Sequence, residues 1–462
     1  MKKLKNRWKS AISMALLVAV SIVISVTVAN RGSSDFAHAN QIRLVSFTDS
    51  EWNIVKTLSP PPPVPPSPTN KYADNPKAAE LGQMLFFDTN ADGINRVVEP
   101  DIGWGPVGKP VKMGCVGCHI PSEGFVDRRL GLDWPVSLGA DGFTPRRTQP
   151  LFNMAYYNPI GFDSDAHRDT LWHQAVKAYE FNLQQNGSRL RLAHVIWDLY
   201  KDEYEAVFGP LPAGLGDGSF LPQGKPGTPE WDTLSPADQD AITEVMVNYG
   251  KAISAYERKL NTSLTPFDAF VAGDLQAISS NAKNGLKLFM GKAQCITCHS
   301  GAMFTDNKLH VTGVPQKGIH VPTVDTGALE GLPSQLGSDF LGDSKWSDDP
   351  EFGQKLVDFW KAIDQDPVAK EKTRGQFRTA QLRNVAITGP YFHSGFSETL
   401  FEAIQIYNHP GVNPNFSGEL SPLMKPLDLN HREIKDLVAF LETLTGAVPP
   451  ELLEDTSRKY RG

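Results

Sequence analysis

Cys115-Val116-Gly117-Cys118-His119 and Cys295-Ile296-Thr297-Cys298-His299 are the stretches that decide how this chain is built. They hold all four cysteines of a 462-residue chain. C-x-x-C-H is the attachment motif of c-type haem: two thiols add to the two vinyl groups, and the adjacent histidine becomes an axial iron ligand from the same turn. A disulfide or a redox dithiol within each C-x-x-C leaves the histidine after both motifs unexplained. Zinc takes four ligands assembled in one site, which neither cluster offers. Two full motifs with no spare cysteine therefore read as two covalently bound haems c.

The chain around these motifs carries helical punctuation. Ser235-Pro236 sets a cap residue before a proline, and Ile242, Val245, Met246, Tyr249, Ile253, Tyr256 and Leu260 follow at helical spacing. That pattern predicts a buried-face helix of roughly six turns. Asn430 and Glu433 have capping-box spacing, Ile434, Leu437, Val438, Leu441 and Leu444 form an apolar stripe, and Gly446 is placed to end that helix. No alternating strand run is comparably strong. Gly209 to Ser235 is rich in glycine and proline and reads as a loop between two halves. Each half holds one motif, so the chain looks like a duplicated, mainly α unit.

Further out lies the N-terminus. Lys2, Lys3, Lys5, Arg7 and Lys9 precede an uncharged apolar run from Ala11 to Ala29, the pattern of a signal peptide or an N-terminal membrane anchor. Ala37-His38-Ala39 offers a cleavage site, which makes residues 1–39 the signal or anchor and directs the body to the periplasm. Residues 40–74 form a Pro-rich linker, with Ser59 to Pro68 as a semi-rigid spacer. With 45 Lys+Arg against 52 Asp+Glu the net charge is −7, and loss of residues 1–39 leaves 39 basic against 51 acidic residues, a charge of −12. An acidic balance argues against a nucleic-acid partner. A 40% hydrophobic content excludes disorder, and the single apolar run excludes a multispan membrane protein.

The sequence resembles the bacterial di-haem cytochrome c peroxidase family, which includes the MauG-type enzymes. The resemblance rests on Leu81 to Asp88, both haem motifs, Ala252 to Glu257, Pro266-Phe267-Asp268, Gly285 to Phe289, and Leu382-Arg383-Asn384-Val385 running on to Pro390-Tyr391-Phe392-His393-Ser394-Gly395. It implies two cytochrome-c-like helical domains with a haem in each, 75–235 carrying the peroxidatic haem and 236–450 the electron-transfer haem. It also implies His119 and His299 as proximal ligands. Tyr407 falls where the family places a methionine or tyrosine on the second haem; by spacing alone it is an ordinary core tyrosine. A phenolate is a harder donor than a thioether and favours the oxidised iron, which is the MauG-type choice.

Against the family pattern the chain departs at several places. Ala140 stands where peroxidases of the family hold a loop histidine, so the first haem is expected to be open opposite His119. Gln174 matches the distal glutamine, but Gln184 or Gln185 falls where a glutamate is expected. Peroxide cleavage needs a group that takes one proton and returns it, which a glutamine cannot do. Glu180, the nearest carboxylate, is the candidate replacement, against a plain reading as a solvated surface glutamate. The inter-haem tryptophan falls near Phe162 and Asp163, with Trp172 as a substitute. The family's calcium site has Thr388 and Pro390 as carbonyl donors, but Arg147 stands in place of its asparagine, which leaves calcium open. His393 is assigned a structural role, and His167 and His173 read as satisfied surface histidines.

These expectations define a periplasmic di-haem peroxidase that reduces hydrogen peroxide with electrons relayed from a small redox protein, a cytochrome c or cupredoxin. The alternatives are a MauG-like oxidase that modifies a partner protein, or a non-enzymatic electron carrier. A homodimer is carried among the partner expectations.

Overall fold

The computed structural model describes residues 45–91, 93, 96, 104–129, 135–157 and 168–459. The apolar run at 11–29, the cleavage site, Phe162, Asp163 and His167 lie outside the described residues. Among the described residues helices dominate: α1 (Asp49–Val55), α2 (Pro76–Phe87), α3 (Leu171–Glu180), α4 (Arg189–Phe208), α5 (Pro236–Glu257), α6 (Pro266–Val271), α7 (Ser280–Met290), α8 (Ala328–Leu336), α9 (Pro350–Gln365), α10 (Pro367–Lys372), α11 (Leu400–Asn408) and α12 (His431–Glu442). Strands are confined to two antiparallel pairs of two residues each, Leu138–Gly139 with Gly142–Phe143 and Leu309–His310 with Phe377–Arg378. No helix among the described residues is long and apolar enough to cross a membrane.

The expected caps are present. Ser235 accepts from Asp238 N with Pro236 in the first turn of α5, and Asn430 and Glu433 form a reciprocal capping box on α12. Gly446 plays another part than the expected one, because α12 ends at Glu442. A β-carbon at Gly446 would stand 2.4 Å from the carbonyl oxygen of Ser263, so its bareness serves a close chain contact.

Two helix crossings organise two cores. α2 crosses α5 so tightly that a β-carbon on Gly82 would lie 2.0 Å from the Ala252 carbonyl oxygen. α7 crosses α12 in the same manner, with Gly285 and the Asp436 oxygen at 1.9 Å. Only glycine permits either approach. Around the first crossing Phe86, Trp172, Tyr179, Ile196, Met246 and Tyr256 are buried together; around the second, Phe267, Leu286, Phe289, Phe304, Leu437 and Phe440. The same device at 82 and 285 is the structural counterpart of the duplicated motifs.

This arrangement differs from the expected break at 235/236. α5 packs on α2, α3 and α4 in the first core, so the loop 209–235 connects two helices of the same core. The second core instead recruits Val55 and Leu58 from the segment expected to be a linker. Nor is the Pro-rich stretch a free spacer. Pro62 O accepts from Tyr156 Oη at 2.9 Å, Pro65 O accepts from Arg258 Nη1 at 2.9 Å, and Asn70 Nδ2 donates to Lys251 O at 3.0 Å. Proline lacks an amide hydrogen but keeps its carbonyl, so the prolines hold the strap as acceptors while Asn70 holds its end as a donor.

Candidate functional site

Each C-x-x-C-H begins in a short 3-10 turn, Cys115–Gly117 and Cys295–Thr297. The histidine amide closes the turn by donating to the first cysteine carbonyl, at 2.9 Å for His119 and 2.8 Å for His299. Two thiols and an imidazole thereby reach one wall of a cavity, and this happens twice. None of the four cysteines is paired in a disulfide. Burial pushes Cys295 up to about 12 and raises Cys298, so both are neutral sulfurs.

The imidazoles are clamped by strained backbone. Phe125 and Phe304 hold positive φ values of 60° and 55°, a conformation that costs a bulky residue about 1–3 kcal/mol. The strain aims their carbonyls at Nδ1 of His119 (3.2 Å) and His299 (3.0 Å). With Nδ1 donating, Nε2 is the nitrogen left to bind a metal. Burial pushes His119 down to about 4 and lowers His299, so both rings are neutral and carry a free lone pair. Thiol pairs, oriented neutral imidazoles and a cavity beside each are what a covalently held haem requires, and the residues fit it in both places.

The first cavity is also lined by Gln174, Gln184 and Gln185. Gln174 projects from α3, and its Oε1 is buried without a hydrogen-bond partner. Gln185 Nε2 lies 3.3 Å from Cys115 Sγ. Glu180 is elsewhere: it forms a two-pronged ion pair with Arg189, Oε1 to Nε at 2.8 Å and Oε2 to Nη2 at 2.9 Å, and faces a neighbouring cleft. A carboxylate so engaged does not serve the cavity. The one carboxyl lining it among the described residues is Glu257 on α5. Its Oε2 is buried without a partner, and burial pushes the group up to about 8.

Other expected positions resolve as follows. Ala140 is fully buried beside Val111 and Met113, and it presents no ligand. Trp172 is buried in the first core with Nε1 directed to Thr69 Oγ1 at 3.3 Å, and it lines neither cavity. His173 is not on the surface but wholly buried, bonded to Asp169 Oδ1 and Ser338 Oγ, each at 2.8 Å.

In the second cavity Tyr407, from α11, shares the lining with His299. Burial raises its hydroxyl, and its ring lies 5.7 Å from that of Phe392. Met424, not singled out from the sequence, lines the same cavity. His393 is buried there, stacked on Phe377 at 3.6 Å and bonded to Gln316; burial pushes it down to about 3, which keeps it neutral. Asp306 and His310 pair at 3.0 Å, and with Cys298 their ligand atoms lie within 4.8 Å of one another. A sulfur consumed by a haem vinyl has no thiolate to give a metal there.

At the expected calcium position Arg147 Nη1 donates to Thr388 O at 2.8 Å, and Arg128 Nε donates to the next carbonyl, Gly389 O, at 2.9 Å. A guanidinium thus occupies the carbonyl that a calcium ion would use, and a cation beside a cation disfavours the ion. Beneath the second cavity Asp268 and Arg383 form a buried bidentate pair, both contacts 2.9 Å, and Arg383 Nε also donates to Ala302 O at 2.7 Å.

Paired helix crossings with a cysteine-anchored histidine beside each define a two-centre protein of the c-type cytochrome class. Residues 76–276 match the family described as di-haem cytochrome c peroxidase. Cytochrome-c peroxidase IdrP2 of Pseudomonas sp. (strain SCT) is 31% identical over 85% of this chain and 86% of its own length. Cytochrome-c peroxidase IdrP1 of the same strain is 29% identical over 89% and 91%. The diheme peroxidase BthA from Burkholderia thailandensis E264 has the same fold, with a TM-score of 0.58 at 20% identity over 83% of this chain and 91% of that one. The chain belongs to the bacterial di-haem cytochrome c peroxidase and MauG family and is a peroxidase-type oxidoreductase.

Sequence reasoning missed Glu257, Met424 and the Phe125 and Phe304 clamps. The clamps had a faint signal, a phenylalanine five or six residues beyond each motif histidine. Glu257 had one too, since it closes the Ala252 to Glu257 segment that carries the resemblance, but that segment sits in a helix whose apolar face alone was assigned a role.

Proposed function

We propose that this chain is an exported, periplasmic di-haem c-type peroxidase. It reduces hydrogen peroxide at the first cavity with electrons that enter at the second from a small redox protein, a cytochrome c or cupredoxin. Each turnover consumes one peroxide, two electrons and two protons and yields two waters. Cys115, Cys118 and His119 would hold one haem, and Cys295, Cys298, His299 and Tyr407 would hold the other. Bound there, haem supplies the one-electron storage and the peroxide chemistry.

The chain's own groups do the rest. Gln174 orients the incoming peroxide through its amide, whose buried oxygen is otherwise unmatched. The carbonyls of Phe125 and Phe304 keep the imidazoles turned and neutral. Apolar walls around the second cavity, among them Leu400, Ile404 and Leu441, exclude water from the electron-entry site. The observation that carries this reading is the contrast between the cavities: Tyr407 shares the second with His299, whereas the described lining of the first holds no tyrosine and no histidine besides His119. Steady-state assay with hydrogen peroxide and reduced cytochrome c tests it, and turnover no faster than that of free haem would sink it.

Tyr407 also favours a second reading, a MauG-like oxidase that uses peroxide to modify a partner protein. One equivalent of peroxide should then produce a long-lived state oxidised by two equivalents; immediate bleaching argues against it.

A further inference from the structure

Arg147 is the one described residue that lines both cavities. It follows Arg146, which is tied to Asp325 by a bidentate pair at 2.7 Å for each contact. Arg147 is anchored toward the second half of the chain at two atoms. Its backbone N–H donates to His393 O at 2.9 Å, and Nη1 donates to Thr388 O at 2.8 Å. Phe392, adjacent to His393, meets the ring of Tyr407. The guanidinium therefore stands between the first motif's cavity and the segment that walls the second.

Burial pushes this guanidinium down, to about 10, with Arg128 as a like-charged neighbour and Tyr391 and Tyr157 opposing the shift. It still carries its positive charge at neutral pH. A fixed charge in a poorly polarisable interior acts over longer distances than one in water, and it stabilises an added electron at any centre it faces. Here it faces two.

We propose that Arg147 is a cation shared by the two redox sites, raising the electron affinity of both and tying their potentials together. The assignment rests on the reading of both cavities as haem sites. It gives the relay a built-in charge that neither exchanges with solvent nor needs a metal ion. Its hydrogen bond to Thr388 holds the spacing, so the charge cannot drift toward either site.

The test is spectroelectrochemical titration of both haems in the full-length holoenzyme, comparing wild type with R147M and R147K. Both midpoint potentials should fall together in R147M; a tenfold loss of electron affinity corresponds to 59 mV for one electron. R147K, which keeps the charge, should recover most of the shift. R147Q, which keeps an amide donor toward Thr388 without the charge, repeats the measurement if methionine disturbs folding, and it should shift as R147M does. Movement of one potential alone, of neither, or equal shifts in R147M and R147K would overturn the assignment. The haem-to-protein ratio of wild type separates the two readings. A ratio other than two overturns both, whereas two haems with unmoved potentials overturn only the role of Arg147.

Discussion

Arg147 Nη1 and the carbonyl oxygen of Thr388 are 2.8 Å apart although 241 residues separate them in the chain. The Thr388 carbonyl, one of the donors expected for a calcium ion, is thereby already engaged by a guanidinium.

Chelation should therefore leave the protein unmoved. Dialysis of the holoenzyme against excess EDTA is expected to alter neither its thermal unfolding midpoint nor its peroxide turnover. Loss of activity that calcium restores would show that a metal shares the site with Arg147.

Tyr407 lies in the second cavity with His299, so Tyr407→Phe should alter the absorption and spin-resonance spectrum of one haem and leave the other unchanged. If neither spectrum moves, the ligand is another group, and Met424 in the same cavity is the next to replace.

Gln174 and Glu180 should separate cleanly despite standing on one helix. Gln174→Ala removes an amide from the cavity and is expected to lower peroxide turnover by roughly 10²-fold with little change in stability. Glu180→Gln breaks the pair with Arg189 and should cost about 1–3 kcal/mol in urea unfolding with turnover largely kept. The reverse outcome would return Glu180 to the catalytic role.

Glu257 predicts a pH effect of definite sign. Burial raises its carboxyl to about 8, so the folded state holds a proton that the unfolded chain releases at a lower pH. Its stability contribution is fully present at acidic pH and is lost as the pH rises toward 8. Glu257→Gln should accordingly gain stability over wild type between pH 5 and pH 9, by on the order of a few kcal/mol. Parallel stability curves for the two proteins across that range would refute this.

Asp268 behaves in the opposite sense. Burial would raise it, but Arg383, Ser59 and the Thr265 amide outweigh that and pull it down to about 2. The stabilisation it provides is present above the ordinary carboxylate range and is lost as the pH falls toward 2. Asp268→Asn leaves the buried Arg383 unpaired, and an unfolding titration should register about 3–5 kcal/mol of destabilisation.

Much of the fold was legible because its determinants are local. The Ser235 cap, the Asn430–Glu433 box and the spacing Cys115–Cys118–His119 each act within one turn, and the same turn recurs at Cys295. The apolar stripe of α5 predicted its burial but not its company. Which core a helix joins depends on crossings such as Gly82 on Ala252, and no periodicity records those.

By itself the sequence determined that there are two haem-attachment motifs, that the body is mainly helical and duplicated, and that Tyr407 is the residue to examine opposite His299. Only the tertiary structure decided which carboxyl faces the first cavity, that the Pro-rich strap is docked, and that a guanidinium stands between the sites. The reason is distance along the chain. Covalent attachment and capping are settled within a few residues, whereas Glu257, Arg147 and Pro65 acquire their roles from partners and cavity walls 100 or more residues away, through burial and charge that no local pattern encodes.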